Sequence, residues 1–170
     1  MDFEKKKKAV ANRTISRAQS TLYFLEEFLR DKQGGTDAAY SRSLYILLSY
    51  SFELILKSLM VLTSNATSIQ ALDKELRKPL HDFEGIFKKL NKVGLLNVGL
   101  KNIVRKQRRS FIEYIVETDD NKILIQDFTN VRYDFISDDL RDPDANEMNR
   151  IKIEIKSLLT VTKKIFSLSV

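Results

Sequence analysis

Leu44-Tyr45-Ile46-Leu47-Leu48-Ser49-Tyr50-Ser51-Phe52-Glu53-Leu54-Ile55-Leu56-Lys57-Ser58-Leu59 is the stretch that decides the fold. Leu44, Leu48, Phe52, Ile55, Leu59 and Leu62 recur at steps of three or four, which is one stripe of an α-helix. Tyr45, Ile46, Leu47, Leu54, Leu56, Met60 and Val61 put apolar groups on the other faces as well. A helix that is apolar nearly all round has to be covered by several neighbours, so this one is expected at the centre of a bundle, over about Asp37 to Thr63.

Working outward, Ala11, Ile15, Ala18, Leu22, Leu25 and Leu29 form a second stripe, widened by Val10, Phe24 and Phe28. They predict a helix from about Lys6 to Asp31, ended by Gly34-Gly35. Lys5 to Lys8 are expected to fray in solvent. Residues 64–80 read as a polar connector with one helical turn near Ala71 to Leu76. A short helix follows from about Asp82 to Lys92, with Phe83, Ile86, Phe87 and Leu90 inward. The next helix is expected over Leu100 to Glu117, burying Ile103, Val104, Phe111, Ile112 and Ile115. Between Lys122 and Ile136 the run Ile123-Leu124-Ile125 predicts a short extended or irregular excursion. A last helix is under way by Met148, with Ile151, Ile155, Leu158, Ile165 and Phe166 on its core side. The reading is therefore an all-α, up-and-down bundle of about five helices forming one domain over 1–170.

Composition agrees. The 170 residues include only 5 Gly and 2 Pro, which disfavours a turn-rich β architecture. With no cysteine, disulfides, thiolate metal sites and a cysteine nucleophile are excluded. The acidic residues show no calcium-loop pattern, there is no Gly-rich phosphate loop, and neither a metal site nor a cofactor is expected. No leader follows the N-terminal lysines, and no membrane span is expected, so the default location is cytoplasmic. Net charge is +6, but residues 117–147 carry −7 and the remainder +13. That asymmetry permits a basic face for an anionic partner.

Three pieces carry a family resemblance. Glu53-x-x-x-Lys57 within the apolar helix is similar to a stretch in the second helix of many HEPN proteins. Leu80-His81-Asp82-Phe83 resembles the His-Asp-Leu start of their next helix, with Phe83 in place of the leucine. Phe128-x-x-Val131-Arg132-Tyr133 is similar to an Arg-Tyr segment of some members. The resemblance implies a HEPN-like helical bundle, a homodimer, and RNA or nucleotide as ligand. It also implies a setting in stress response or phage defence, with a cognate nucleotidyltransferase-type partner. Catalytic members are metal-independent ribonucleases whose Arg is followed four to six residues later by a His. Here no His follows Arg132, and the only histidine is His81. The leading expectation is a non-catalytic protein that binds nucleotide or RNA, or a protein partner. The alternatives are a ribonuclease using His81 with Arg132 and Tyr133, and a structural dimerisation module.

Each candidate has a plain structural role as well. Asp82 or His81 can cap the helix that follows, and capping is the preferred reading over catalysis. Glu53 and Lys57, four apart with the acid first, suit a helical ion pair inside the core. With Asp82 they are the candidate polar pocket, and Arg132 and Tyr133 are its candidate partners. Arg132 can simply pair with Asp127 or Asp134. Lys101, Arg105, Lys106, Arg108 and Arg109 form a candidate nucleic-acid strip, with Tyr114 near enough to stack a base. The plainer reading of that strip is a solvated helix face.

Overall fold

The structure, a computed structural model, describes residues 2–31, 38–77, 82–92, 100–108, 111–118, 122–126 and 145–168. It is mostly helical, with one small sheet. Four helices come first: α1 (Phe3–Asp31), α2 (Ala38–Thr63), α3 (Ile69–Arg77) and α4 (Phe83–Lys92). Three strands follow: β1 (Leu100–Arg108), β2 (Phe111–Thr118) and β3 (Lys122–Gln126). A long helix, α5 (Ala145–Leu168), comes last.

The expected centre is the observed one. Along α2 every residue from Ser51 to Leu56 is buried, and α2 packs against α1, α3, α4 and α5. Burying a large aliphatic side chain stabilises by roughly 1.5–3 kcal/mol, so this helix is the largest single contributor to the core. Arg42–Thr63 is long and apolar enough to cross a membrane, with mean hydropathy 1.6, but 67% of its apolar window is buried inside the fold. Neighbouring helices and the sheet supply the apolar surroundings that lipid would otherwise provide. On α1, Ala11, Ile15, Ala18, Leu22 and Leu25 face inward as their spacing predicts. Phe24 does not widen that stripe. It is 56% exposed, whereas Phe28, one turn on and 6.3 Å away ring to ring, packs against the core as expected. On α5 the buried row is Met148, Ile151, Ile155 and Leu159.

The expected helix over Leu100 to Glu117 is replaced by an antiparallel hairpin, β1 against β2, which β3 extends as a meander. Ile103, Val104, Ile112, Ile115 and Val116 are β-branched and suit strands, and packing of one sheet face on the core selects them. Residues opposite one another in an antiparallel pair share a face of the sheet. The register sets Ile103 beside Val116 and Ile123, and Arg105 beside Tyr114 and Ile125. Ile103, Val116, Tyr114 and Ile125 of that face are buried in the main core. The opposite face carries the row Val104, Ile115 and Leu124, with Val104 42% exposed. The extended run expected at Ile123–Ile125 is strand β3.

A second correction lies at the N-terminus. Lys5 to Lys8 do not fray: they are helical, and Lys7 is buried. Its ammonium donates to the Ser64 carbonyl at 2.9 Å and to Glu4 Oε1 at 3.1 Å. The Ser64 hydroxyl donates to Glu75 Oε2, and Lys89 donates to the Glu75 carbonyl at 3.0 Å. One polar chain thus ties α1, the end of α2, α3 and α4 together.

Candidate functional site

Four polar residues interrupt the apolar α2 at every fourth position: Tyr45, Ser49, Glu53 and Lys57. Each step of four advances about 40° round the helix, so they lie on one slowly turning face. At one end of this row the backbone of Gln126 is held. Its N–H donates to the Tyr45 hydroxyl at 2.9 Å, and its carbonyl accepts from Ser49 Oγ at 2.6 Å. Gln126 is therefore one of the strand residues whose backbone groups point away from the neighbouring strand. Helix side chains replace the missing strand and cover the β3 edge. At the other end Glu53, 2% exposed, forms a 2.6 Å ion pair with Lys57, whose side chain is 21% exposed.

Asp82 does what a cap does. Its carboxylate accepts from the Glu84 N–H at 3.1 Å, and its carbonyl accepts from the Ile86 N–H at 3.1 Å. The same carboxylate accepts from the Tyr114 hydroxyl at 2.8 Å. Tyr114, expected to stack a base, is instead buried, so its ring offers no open face. Phe83 stands between the two elements, edge-on to Phe52 at 5.0 Å and tilted against Tyr114 at 5.3 Å. Phe52 and Phe83 thus bring the neighbourhoods of Glu53 and Asp82 to the same part of the core. His81, Arg132, Tyr133 and Arg109 lie outside the described residues.

The basic strip is divided by the strand geometry. On a helix Lys101, Arg105, Arg108 and Arg109 approximate one face. On β1 the side chains alternate, so Arg105 shares the Ile103 face and Lys106 the opposite one. Lys101 sits at the irregularity in register between Leu100 and Asn102. Arg105 and Lys106 are exposed.

A different place gathers donors. Helices α1 and α5 run antiparallel, fastened at two points seven residues apart on each helix. Lys156 reaches both carboxylate oxygens of Glu26 at 2.8 and 3.0 Å, and Lys163 donates to Gln19 Oε1 at 2.5 Å. Between and around these points lies a groove of about 640 Å³. Its walls include Ser16, Ser20, Thr160 and Tyr23, and Tyr23 is 65% exposed. The Lys156 ammonium hydrogen-bonded to Glu26 holds that carboxyl below its ordinary value of 4.5, so Glu26 is ionised at neutral pH. Arg13 lies one turn before Ser16 and Arg17 just after it, and both are exposed. Among the described residues, no carboxylate forms a salt bridge with Arg13, Arg17 or Lys163.

The sequence carries one signal for this groove. Residues 5–25 hold six bases and no acid, and residues 155–168 hold Lys156, Lys163 and Lys164 and no acid. For the Tyr45–Ser49 clip the signal is the fourfold polar spacing on an apolar helix. Among the described residues no group of three or more His, Cys, Asp or Glu gathers in a way that could hold a metal ion. No protein-family model, curated protein or solved structure matches the chain.

Proposed function

We propose that this is a HEPN-like helical protein of the cytoplasm that acts by binding RNA or a nucleotide and does not cleave it. The observation that carries this reading is the cationic bank of α1. Arg13 and Arg17 are exposed on α1 and flank the groove-lining Ser16 in sequence, the α5 wall of the groove supplies Lys163, and no acid occurs in residues 5–25 or 155–168. Lysine and arginine flanked by hydroxyl donors are the groups that contact phosphates. The polar residues of the core have other work. Tyr45, Ser49 and Asp82 satisfy backbone groups, and Glu53 and Lys57 form an ion pair.

The test is fluorescence anisotropy of a labelled single-stranded RNA titrated with the full chain over a range of salt. Affinity falls with salt, with a log–log slope near −0.7 for each phosphate neutralised. Changing Arg13, Arg17 and Lys163 together to Gln lowers both affinity and slope. The same change at Lys101, Arg105, Arg108 and Arg109 tests the hairpin as the rival surface. Affinity indifferent to salt would overturn the reading. RNA cleavage abolished by His81→Ala would replace it with the ribonuclease.

A further inference from the structure

We infer that the α1–α5 groove is a site for a small phosphomonoester that carries a flat ring and free hydroxyls, the chemistry of a nucleoside monophosphate. This rests on the binding reading above and names the ligand class of that same groove.

The groove is graded from end to end. At one end Lys163 is bonded to a neutral amide, Gln19, so its positive charge is not cancelled. At the other end Lys156 is held by both oxygens of Glu26, so its charge is cancelled in place. A phosphate is favoured at the first end. At the second, the neutral pair offers phosphate no net attraction, and the carboxylate oxygens can still accept from hydroxyls, much as an acidic side chain holds ribose hydroxyls in dinucleotide sites. The two ends are seven helical residues apart, or about 10 Å along the axis. That is comparable to the reach from a phosphate, across a sugar, to a ring attached to it. Tyr23 stands between Gln19 and Glu26, one helical turn from each, with most of its ring in solvent. It offers the face on which a flat ring stacks. A volume of about 640 Å³ is the size of a small-molecule site.

The experiment is calorimetric titration of the full chain at low salt with adenosine monophosphate, adenosine and inorganic phosphate. The monophosphate is expected to bind about tenfold or more tighter than either fragment, the worth of one charge-assisted hydrogen bond. Lys163→Met weakens the monophosphate about tenfold and leaves adenosine unchanged. Tyr23→Leu weakens the monophosphate and adenosine alike and leaves phosphate unchanged. Glu26→Gln has opposite effects: it weakens the monophosphate and strengthens inorganic phosphate, because Lys156 is freed. All three side chains are at least a third exposed, so the variants fold. Monophosphate binding unaffected by Lys163→Met and Tyr23→Leu overturns the inference, and so does failure of the monophosphate to bind. If RNA still binds with its salt dependence while those changes have no effect, the groove assignment falls and the binding reading stands. If RNA does not bind but the monophosphate binds with the stated pattern, RNA falls as ligand and the groove stands.

Discussion

The clip from α2 to β3 gives a prediction whose size follows from the geometry. Tyr45→Phe removes only the hydroxyl that accepts the Gln126 N–H at 2.9 Å, and Ser49→Ala only the hydroxyl that donates to its carbonyl at 2.6 Å. Ser49 is fully buried and Gln126 is 7% exposed, so water does not readily replace either partner. An orphaned buried donor costs about 1–3 kcal/mol. Tyr45→Phe should fall in that range, and Ser49→Ala near its lower end, because a carbonyl tolerates a missing donor better than an N–H tolerates a missing acceptor. The double variant should cost less than the sum. Once both anchors are gone the end of β3 detaches and hydrates, which caps the penalty, and coupling of about 0.5 kcal/mol or more is expected. Urea unfolding gives the energies, and amide exchange at Gln126 reports the strand end directly. Losses under about 0.5 kcal/mol in both single variants, with exchange at Gln126 unchanged, would refute the argument that helix side chains hold this edge.

Other expectations follow from the same core. Phe83→Ala opens a void between Phe52 and Tyr114 and should cost about 3–5 kcal/mol in chemical denaturation. Lys57→Met removes the 2.6 Å ion pair to Glu53 and should destabilise more than the paired change Glu53→Leu with Lys57→Met, because removing one side of a buried pair costs more than replacing both. Glu26 should titrate below 4.5 by NMR and move back up in Lys156→Met. Its folded value is lowered, so its contribution to stability is present above the unfolded value and lost as pH falls through the folded one. A stability gain on acidification through that window would contradict the sign.

The helical stripes were legible because burial on α1, α2 and α5 repeats with the period of the helix itself. β3 was legible from a short β-branched run. The hairpin was not. Ile103, Val104, Ile112 and Ile115 satisfy helical spacing and break strand alternation, since the sheet divides them between its two faces, and the Lys, Arg and Gln among them favour helix locally. Only packing against α4 and the core decides for strands. Lys7 reads as one of four solvated lysines until Ser64, 57 residues away, supplies a carbonyl. In the candidate pocket, the Glu53–Lys57 pair and the Asp82 cap followed from spacing alone. The clip partners of Tyr45 and Ser49 did not, being 81 and 77 residues distant. The groove was least visible, because its walls are 130 to 144 residues apart in the chain. Sequence alone shows only the acid-free runs at 5–25 and 155–168 from which most of its walls are drawn.

Amide chemical-shift mapping with adenosine monophosphate tests the central claim most directly. Shifts should concentrate on residues 16–26 of α1 and 156–163 of α5, saturate together, and need about tenfold more ligand to saturate in Lys163→Met. Shifts confined to the hairpin at 100–118, or to Glu53, Lys57 and Asp82, would contradict it.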